Sequence, residues 1–163
     1  MIDFTINATV TPAGSSYDWV YEVRDSANNL VSGDIVIPQG FTKSMKITLA
    51  AGGGGTCMFP PKVDDSLLFY TWQGMTHPLP KPLWLQNLQR LSDTVITFDD
   101  HNINMKRRHY RFVINATFGQ DHITSPDPTI VNVGTEGGMT IHFPEPRSHQ
   151  PPPPQPKVMA AAV

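Results

Sequence analysis

The stretch Tyr110-Arg111-Phe112-Val113-Ile114-Asn115-Ala116 decides the fold class of this chain. One set of alternating side chains in it is aromatic or aliphatic, while the other set carries Arg111 and Asn115. A period of two places successive side chains on opposite faces of a β-strand. The same rhythm recurs from Phe4 to Phe143. The chain is therefore predicted to be an all-β, antiparallel domain with one solvated face on each sheet.

About nine strands are predicted in this way, a number that suits two packed sheets in a jelly-roll-like β-sandwich. They cover residues 4–10, 17–24, 30–37, 43–50, 66–72, 94–98, 108–118, 128–133 and 139–143. The second and third strands are predicted to form a hairpin, and so are the sixth with the seventh and the eighth with the ninth. Trp84, Leu88 and Leu91 fall at helical spacing, which predicts a short helix or turn there.

The last part of the chain has a different composition. Residues 144–163 include Pro144, Pro146 and the run Pro151–Pro154. A proline run favours an extended polyproline II conformation and cannot pack a core. We therefore predict a β-sandwich domain over residues 1–143, followed by a Pro-rich tail that is free or lies on a neighbouring molecule.

Composition excludes several classes of protein. The 163 residues carry a formal charge of −2 and only 16% charged side chains, which argues against a nucleic-acid partner. The apolar runs are too short for a membrane helix, and the N-terminus lacks a secretory pattern, so we expect a cytoplasmic protein with no membrane partner. Low charge also weakens self-repulsion and favours association. The single cysteine, Cys57, is expected to be a small buried side chain.

Aromatic side chains provide one candidate binding site. Tyr17, Trp19 and Tyr21 share one face of the second strand, and Trp72 lies beside a Pro-rich segment. If exposed, Trp19, Tyr21 and Trp72 form a platform on which sugar rings stack, which predicts a carbohydrate partner. If buried, they belong to the core of the sandwich.

A basic run provides a second candidate, a charged contact face. Lys106 to Arg111 contains four cations, and Arg107, His109 and Arg111 share one face by the alternation. Such a face can hold phosphates or an acidic polymer. The alternative is a solvated or interface face whose cations protect an edge strand from unwanted pairing.

Carboxylates and histidines provide the third candidate. Asp99, Asp100 and His101 lie near His109 in the predicted hairpin and could form a metal or carboxylate site. Adjacent residues of a strand point to opposite faces, however, so neither Asp99-Asp100 nor Asp64-Asp65 makes an acid–base pair alone. No metal-binding spacing is present, and we predict no catalytic residues, no metal and no cofactor.

Two segments resemble a known family. Tyr110–Ile114 and then Ser125-Pro126-Asp127-Pro128-Thr129-Ile130-Val131-Asn132 are similar to the closing strands of the bacterial inclusion-body protein family (AidA-type). The resemblance is confined to this C-terminal part and does not include the Pro-rich tail. It implies a β-sandwich made inside bacteria that is abundant and prone to assemble, and it implies no catalytic residues.

Three hypotheses of function follow. The first is a non-enzymatic, self-associating β-sandwich with a structural role, forming a homo-oligomer through edge strands and the Pro-rich tail. The second is a carbohydrate-binding module that uses the aromatic platform. The third is a metal- or carboxylate-dependent enzyme.

Overall fold

The protein is described here by a computed structural model that covers residues 1–32, 35–38, 40–71, 81–82, 84–101, 108–126, 129–132 and 139–142. Within these ranges the chain is all-β, as predicted, with one short 3-10 turn at Val63–Asp65. Its strands are β1 (Phe4–Ala13), β2 (Ser16–Asp25), β3 (Ile35–Ile37), β4 (Thr42–Ala51), β5 (Cys57–Met58), β6 (Leu67–Thr71), β7 (Leu85–Ser92), β8 (Val95–His101), β9 (Arg108–Phe118), β10 (Asp121–Thr124), β11 (Thr129–Asn132) and β12 (Met139–His142).

The first sheet has the strand order β2-β1-β4-β8-β7. Ile6 on β1 lies opposite Ile47 on β4, and Ile47 lies opposite Ile96 on β8, so one buried row crosses three strands. All neighbours in this sheet are antiparallel except β1 and β4, which are parallel. This pair departs from the predicted antiparallel pattern because β3, which lies between β2 and β4 in the chain, joins the other sheet.

The second sheet is organised around β9. Tyr110 of β9 has Ile130 of β11 and Thr71 of β6 as its two neighbours. Thr117, farther along β9, has β10 and β5 as its neighbours. β12 then pairs with β11, and β3 pairs with β12. The segment whose alternation decides the fold class is thus the central strand of this sheet.

The two sheets pack face to face over a shared core. The ring of Phe69, in the second sheet, packs edge to face on the ring of Trp84, the residue just before β7, with 5.6 Å between centroids. Phe69 also lies 6.1 Å from the ring of Phe112. Edge-to-face packing of this kind adds to the free energy gained from burial alone. Cys57 is buried as expected, and desolvation raises the pKa of its thiol to about 11.

Of the three predicted hairpins, one is wrong and one holds only next to its turn. After β2 the chain does reverse, since Leu30 bridges to Arg24 and the Val31 N–H donates to the Val23 carbonyl at 2.8 Å, but strand β3 pairs with β12 in the second sheet. β8 and β9 likewise belong to different sheets. Alternation shows which side chains face inward, but two inner faces of equal polarity accept the same pattern. The third hairpin is confirmed, since β11 pairs with β12.

The predicted helix is also wrong, because Leu88 and Leu91 lie in strand β7 and Trp84 is the buried residue just before it. The pairing of β7 with β8 shifts register twice, between Gln86 and Gln89 and between Arg90 and Ser92. Each shift inserts an extra residue, so spacings of two become spacings of three. Leu88 thus lies three residues after the buried Leu85, whereas Leu91 is exposed, so the apolar residues do not form one helical face.

The Pro-rich residues 144–163 lie outside the described residues. In the part of the chain that is described, no helix has the length and hydropathy required to cross a bilayer.

Candidate functional site

Asp99 belongs to a group of polar side chains on the outer face of the first sheet. Its two carboxylate oxygens accept hydrogen bonds from Asn87 Nδ2 and Ser44 Oγ, both at 2.7 Å. These two hydrogen bonds lower the pKa of Asp99, and the bond from Asn87 has the larger effect. Asn87 has a φ of +55°, beside the first register shift of β7, and this conformation belongs to the bulge.

The same outer face continues toward the start of β4. Asp3 is tied to Ser44 by two bonds: its N–H donates to the Ser44 carbonyl at 2.9 Å, and its carboxylate accepts from the Ser44 N–H at 2.8 Å. His101 Nδ1 is hydrogen-bonded to Thr42 Oγ1. We call Asp3, Thr42, Ser44, Asn87, Asp99 and His101 the outer polar cluster. Its members satisfy one another, which is typical of a structural network.

Asp100 lies on the opposite face of β8 and points into the sandwich. It is 0% exposed, and neither of its carboxylate oxygens has a hydrogen-bond partner among the described residues. Its cross-strand neighbours are Lys43 on β4 and Leu85 on β7. Desolvation raises the pKa of Asp100 from 3.8 to about 8. This carboxyl group is therefore mostly neutral at pH 7 in the folded protein.

The predicted metal or carboxylate site is not assembled by the residues that can be placed. Asp99 and Asp100 point to opposite faces, as the alternation predicted. No three His, Cys, Asp or Glu side chains among the described residues come together as a metal site. The side chain of His109 lies outside the described residues. Asp64 and Asp65 are exposed turn residues, and Asp64 lies 3.9 Å from Lys81 Nζ.

Two members of the aromatic platform are described, and both belong to the core of the sandwich. Trp19 and Tyr21 are each 8% exposed, and their rings stack with centroids 6.4 Å apart. They face the second sheet because every second residue of β2 turns inward. Trp72, the third member, lies outside the described residues.

One member of the charged contact face, Arg111, lies where its strand has a neighbour on each side. Arg111 sits in β9 with Thr129 of β11 on one side and Tyr70 of β6 on the other. For Arg111 the interpretation as edge protection is therefore wrong, because β9 is paired on both sides at this residue. Arg107 and the side chains of His109 and Arg111 lie outside the described residues.

A feature that the sequence patterns did not reveal lies on the edge strands. Among the described strands, β2 and β7 end the first sheet, and β3 ends one side of the second. Each exposes an apolar side chain: Val20 is 40% exposed, Val36 51% and Leu91 60%. Sequence alone gives no signal for this, because an edge is defined by strand order rather than by local pattern.

Comparison with known proteins adds no identification. No protein-family model matches the chain, and no curated protein matches it.

Proposed function

We propose that this protein is a non-enzymatic, self-associating structural protein of the bacterial cytoplasm, similar in role to inclusion-body proteins. The observation that carries the proposal is the exposure of Val20, Val36 and Leu91 on three edge strands. Edge strands offer backbone groups for pairing, and natural proteins usually cover them or place charges on them. Each of these three edges carries an exposed apolar side chain, which favours contact with another molecule.

Two further features support self-association. The formal charge of −2 on 163 residues gives little long-range repulsion between copies. The segments Tyr110–Ile114 and Ser125–Asn132 resemble a family whose members assemble inside bacteria. In this proposal the Pro-rich residues 144–163 act as an arm that lies on a neighbouring copy.

Light scattering on the full chain, across a range of concentrations, tests the proposal. We expect a defined oligomer whose mass exceeds the 18.1 kDa of one chain. A second protein that ends at Phe143 tests the arm, and we expect its oligomer to be smaller or weaker. A monomer at every concentration in both proteins would refute self-association, and glycan binding and metal content would then be measured.

A further inference from the structure

Asp100 is the only carboxyl group among the described residues that the sandwich encloses completely. Its side chain is 0% exposed, and neither of its oxygens has a hydrogen-bond partner there. A neutral carboxyl group is tolerated in such a place, whereas a carboxylate without a partner is strongly disfavoured. This desolvation raises the pKa of Asp100 to about 8, so the group ionises in the mildly alkaline range.

The first sheet offers little compensation for a negative charge on Asp100. Lys43, its cross-strand neighbour on β4, is half-buried and is not hydrogen-bonded to it. Leu85, its neighbour on β7, is apolar. Asp99 and His101, the adjacent residues of β8, belong to the outer polar cluster on the opposite face. Within the described part of this sheet, Lys43 is therefore the charged side chain nearest in register to a carboxylate at position 100.

The second sheet offers no compensating charge among the core-facing side chains that are described. Those of β3, β6, β9 and β12 are apolar, as Phe69 and Phe112 illustrate. The Cys57 thiol faces the core where β5 pairs with Phe118, and burial raises its pKa to about 11, so it stays neutral where Asp100 ionises. Tyr110 has the parity of Phe112 in β9, and its side chain lies outside the described residues. An ionised Asp100 therefore has to reach water.

The ladder between β7 and β8 is short beside Asp100. Leu85 pairs with Asp100 and Gln86 pairs with Asp99, and the register then shifts before Gln89. Asn87, inside this shift, has a φ of +55°, so the backbone already bends there. We call residues 84–86 the β7 entry segment. The bulge separates this segment from the rest of β7, so it can open as a local unit while the later pairs stay formed.

We propose that Asp100 is a pH-sensitive switch: when its carboxyl group loses its proton to solvent, the β7 entry segment detaches from β8 and the carboxylate turns toward water and Lys43. In the closed state the His101 N–H donates to the Trp84 carbonyl at 2.6 Å, and the Trp84 ring is 0% exposed against Phe69. In the open state this bond is broken and Trp84 is hydrated. Lys43 stays beside position 100, because the pairing of β4 with β8 is kept. The switch does not depend on self-association.

Tryptophan fluorescence of the full-length protein tests the switch. Opening should shift the emission of Trp84 to longer wavelength between about pH 6 and about pH 9, below the range in which tyrosines ionise. We expect the midpoint at about pH 8 in the wild type. Difference spectra against Trp84→Phe isolate this signal from those of Trp19 and Trp72. Asp100→Asn cannot ionise, and it should show no shift.

Amide hydrogen exchange distinguishes a local opening from unfolding of the whole sandwich. Protection factors correct for the faster intrinsic exchange at high pH. Across the midpoint they should fall by at least about tenfold at the His101 N–H, which donates to the Trp84 carbonyl. The Leu49 N–H, which donates to the Thr94 carbonyl at 2.8 Å, should keep its protection. Far-ultraviolet circular dichroism should stay unchanged over the same range.

Lys43→Gln tests the position to which the carboxylate moves, and it does not require Asp100→Asn to fold. Removing the cation beside the carboxylate should raise the midpoint of the Trp84 signal by a few tenths of a pH unit, roughly the effect of one partly exposed ion pair. Lys46→Gln changes a lysine on the outer face of the same strand and is the matched control. Its midpoint should equal that of the wild type.

Four results would overturn the switch. They are a Trp84 emission that stays constant across the titration, an emission shift that persists in Asp100→Asn, protection lost at Leu49 together with His101, and equal midpoints in the wild type and Lys43→Gln. None of these measurements reads the oligomeric state, so the switch can fail while the proposed function stands, and the reverse also holds.

Discussion

The two ends of the first sheet differ in how their polar groups are accommodated. At the end that contains the β1–β2 turn, contacts cross from one sheet to the other and are satisfied. The Tyr17 hydroxyl donates to Asp121 Oδ2 at 2.5 Å, and the Tyr17 ring lies 5.1 Å from the ring of Phe118. Gly55 lies so close to the Phe118 ring that a Cβ there would overlap it.

At the opposite end, strand β8 turns an ionisable group inward. Asp100 is fully buried without a hydrogen-bond partner among the described residues, while its neighbour Asp99 is bound by Ser44 and Asn87 on the outer face. The position of a residue in a strand therefore determines which face its side chain occupies, whatever the polarity of that side chain. The turn end is stabilised by shape and paired polar groups, whereas the end with Asp100 depends on protonation.

The largest expected effect comes from Asp100. Its pKa is about 8 in the folded protein and 3.8 as the ordinary value, so the folded state keeps a proton that the unfolded chain releases in between. The contribution of this proton to the free energy of unfolding is fully present below pH ~4. It falls by up to ~1.4 kcal/mol per pH unit between the two pKa values and is lost above pH ~8. Asp100→Asn removes this dependence. It should raise the free energy of unfolding above pH ~8 by on the order of 3 kcal/mol, less than the full pKa shift implies, because the new amide is buried at the same position without an evident hydrogen-bond partner among the described residues. Urea denaturation measures the difference.

Asp99→Asn is the matched control for that experiment. The pKa of Asp99 is lowered, so its contribution is present above the ordinary pKa and is lost as the pH falls through the folded value. The variant should lose roughly 1 kcal/mol at neutral pH and nothing in acid. Parallel pH profiles for wild type and Asp100→Asn would contradict the assignment of the neutral buried carboxyl group.

An intermediate effect is expected at the turn end from Gly55→Ala. The added Cβ would overlap the Phe118 ring, and overpacking of this kind costs about 1–3 kcal/mol. Combining it with Phe118→Leu should restore part of the loss, because the smaller side chain leaves room. Thermal unfolding of the single and double variants measures the coupling. If Gly55→Ala costs the same with and without Phe118, the close approach does not limit that position.

The smallest effect is expected from the hydrogen bond between Tyr17 and Asp121. The hydroxyl donates to the carboxylate, so ionisation of Tyr17 would break the bond, and this interaction with Asp121 raises the pKa of Tyr17. Asp121→Asn should lower that pKa toward its ordinary value of 10.0. Ultraviolet titration of the tyrosines measures the change, and Tyr17→Phe identifies which phase belongs to Tyr17. Superimposable titrations of wild type and Asp121→Asn would refute the pairing.

Local alternation predicted the strands well where a strand has a regular register. β9 spans Arg108–Phe118, as predicted, and β1, β2 and β4 each extend the predicted range by one to three residues at an end. The faces of Asp99 and Asp100 also followed from the pattern. β7 was missed because its two register shifts destroy the two-residue period on which the prediction depends.

Candidate sites were predictable only in part. The core role of Trp19 and Tyr21 was one of two alternatives that the sequence left open, and their burial decides it for these two residues. Edge protection is one of the alternatives for the basic segment because charge is a common edge device, yet at Arg111 strand β9 has a neighbour on each side. The exposure of Val20, Val36 and Leu91 could not be predicted, since it depends on which strands have a second neighbour.

By itself the sequence determined the all-β class, most strand positions and the inward-facing side chains, because strand geometry links a side chain's face to its parity in the chain. Only the tertiary structure decided that β3 pairs with β12 and not with β2, that β1 and β4 run parallel, and that β2 ends a sheet among the described strands. The physical reason is that strand pairing joins residues distant in sequence. Backbone hydrogen bonds are the same for every partner, so packing of the whole core selects among pairings that local patterns leave equal.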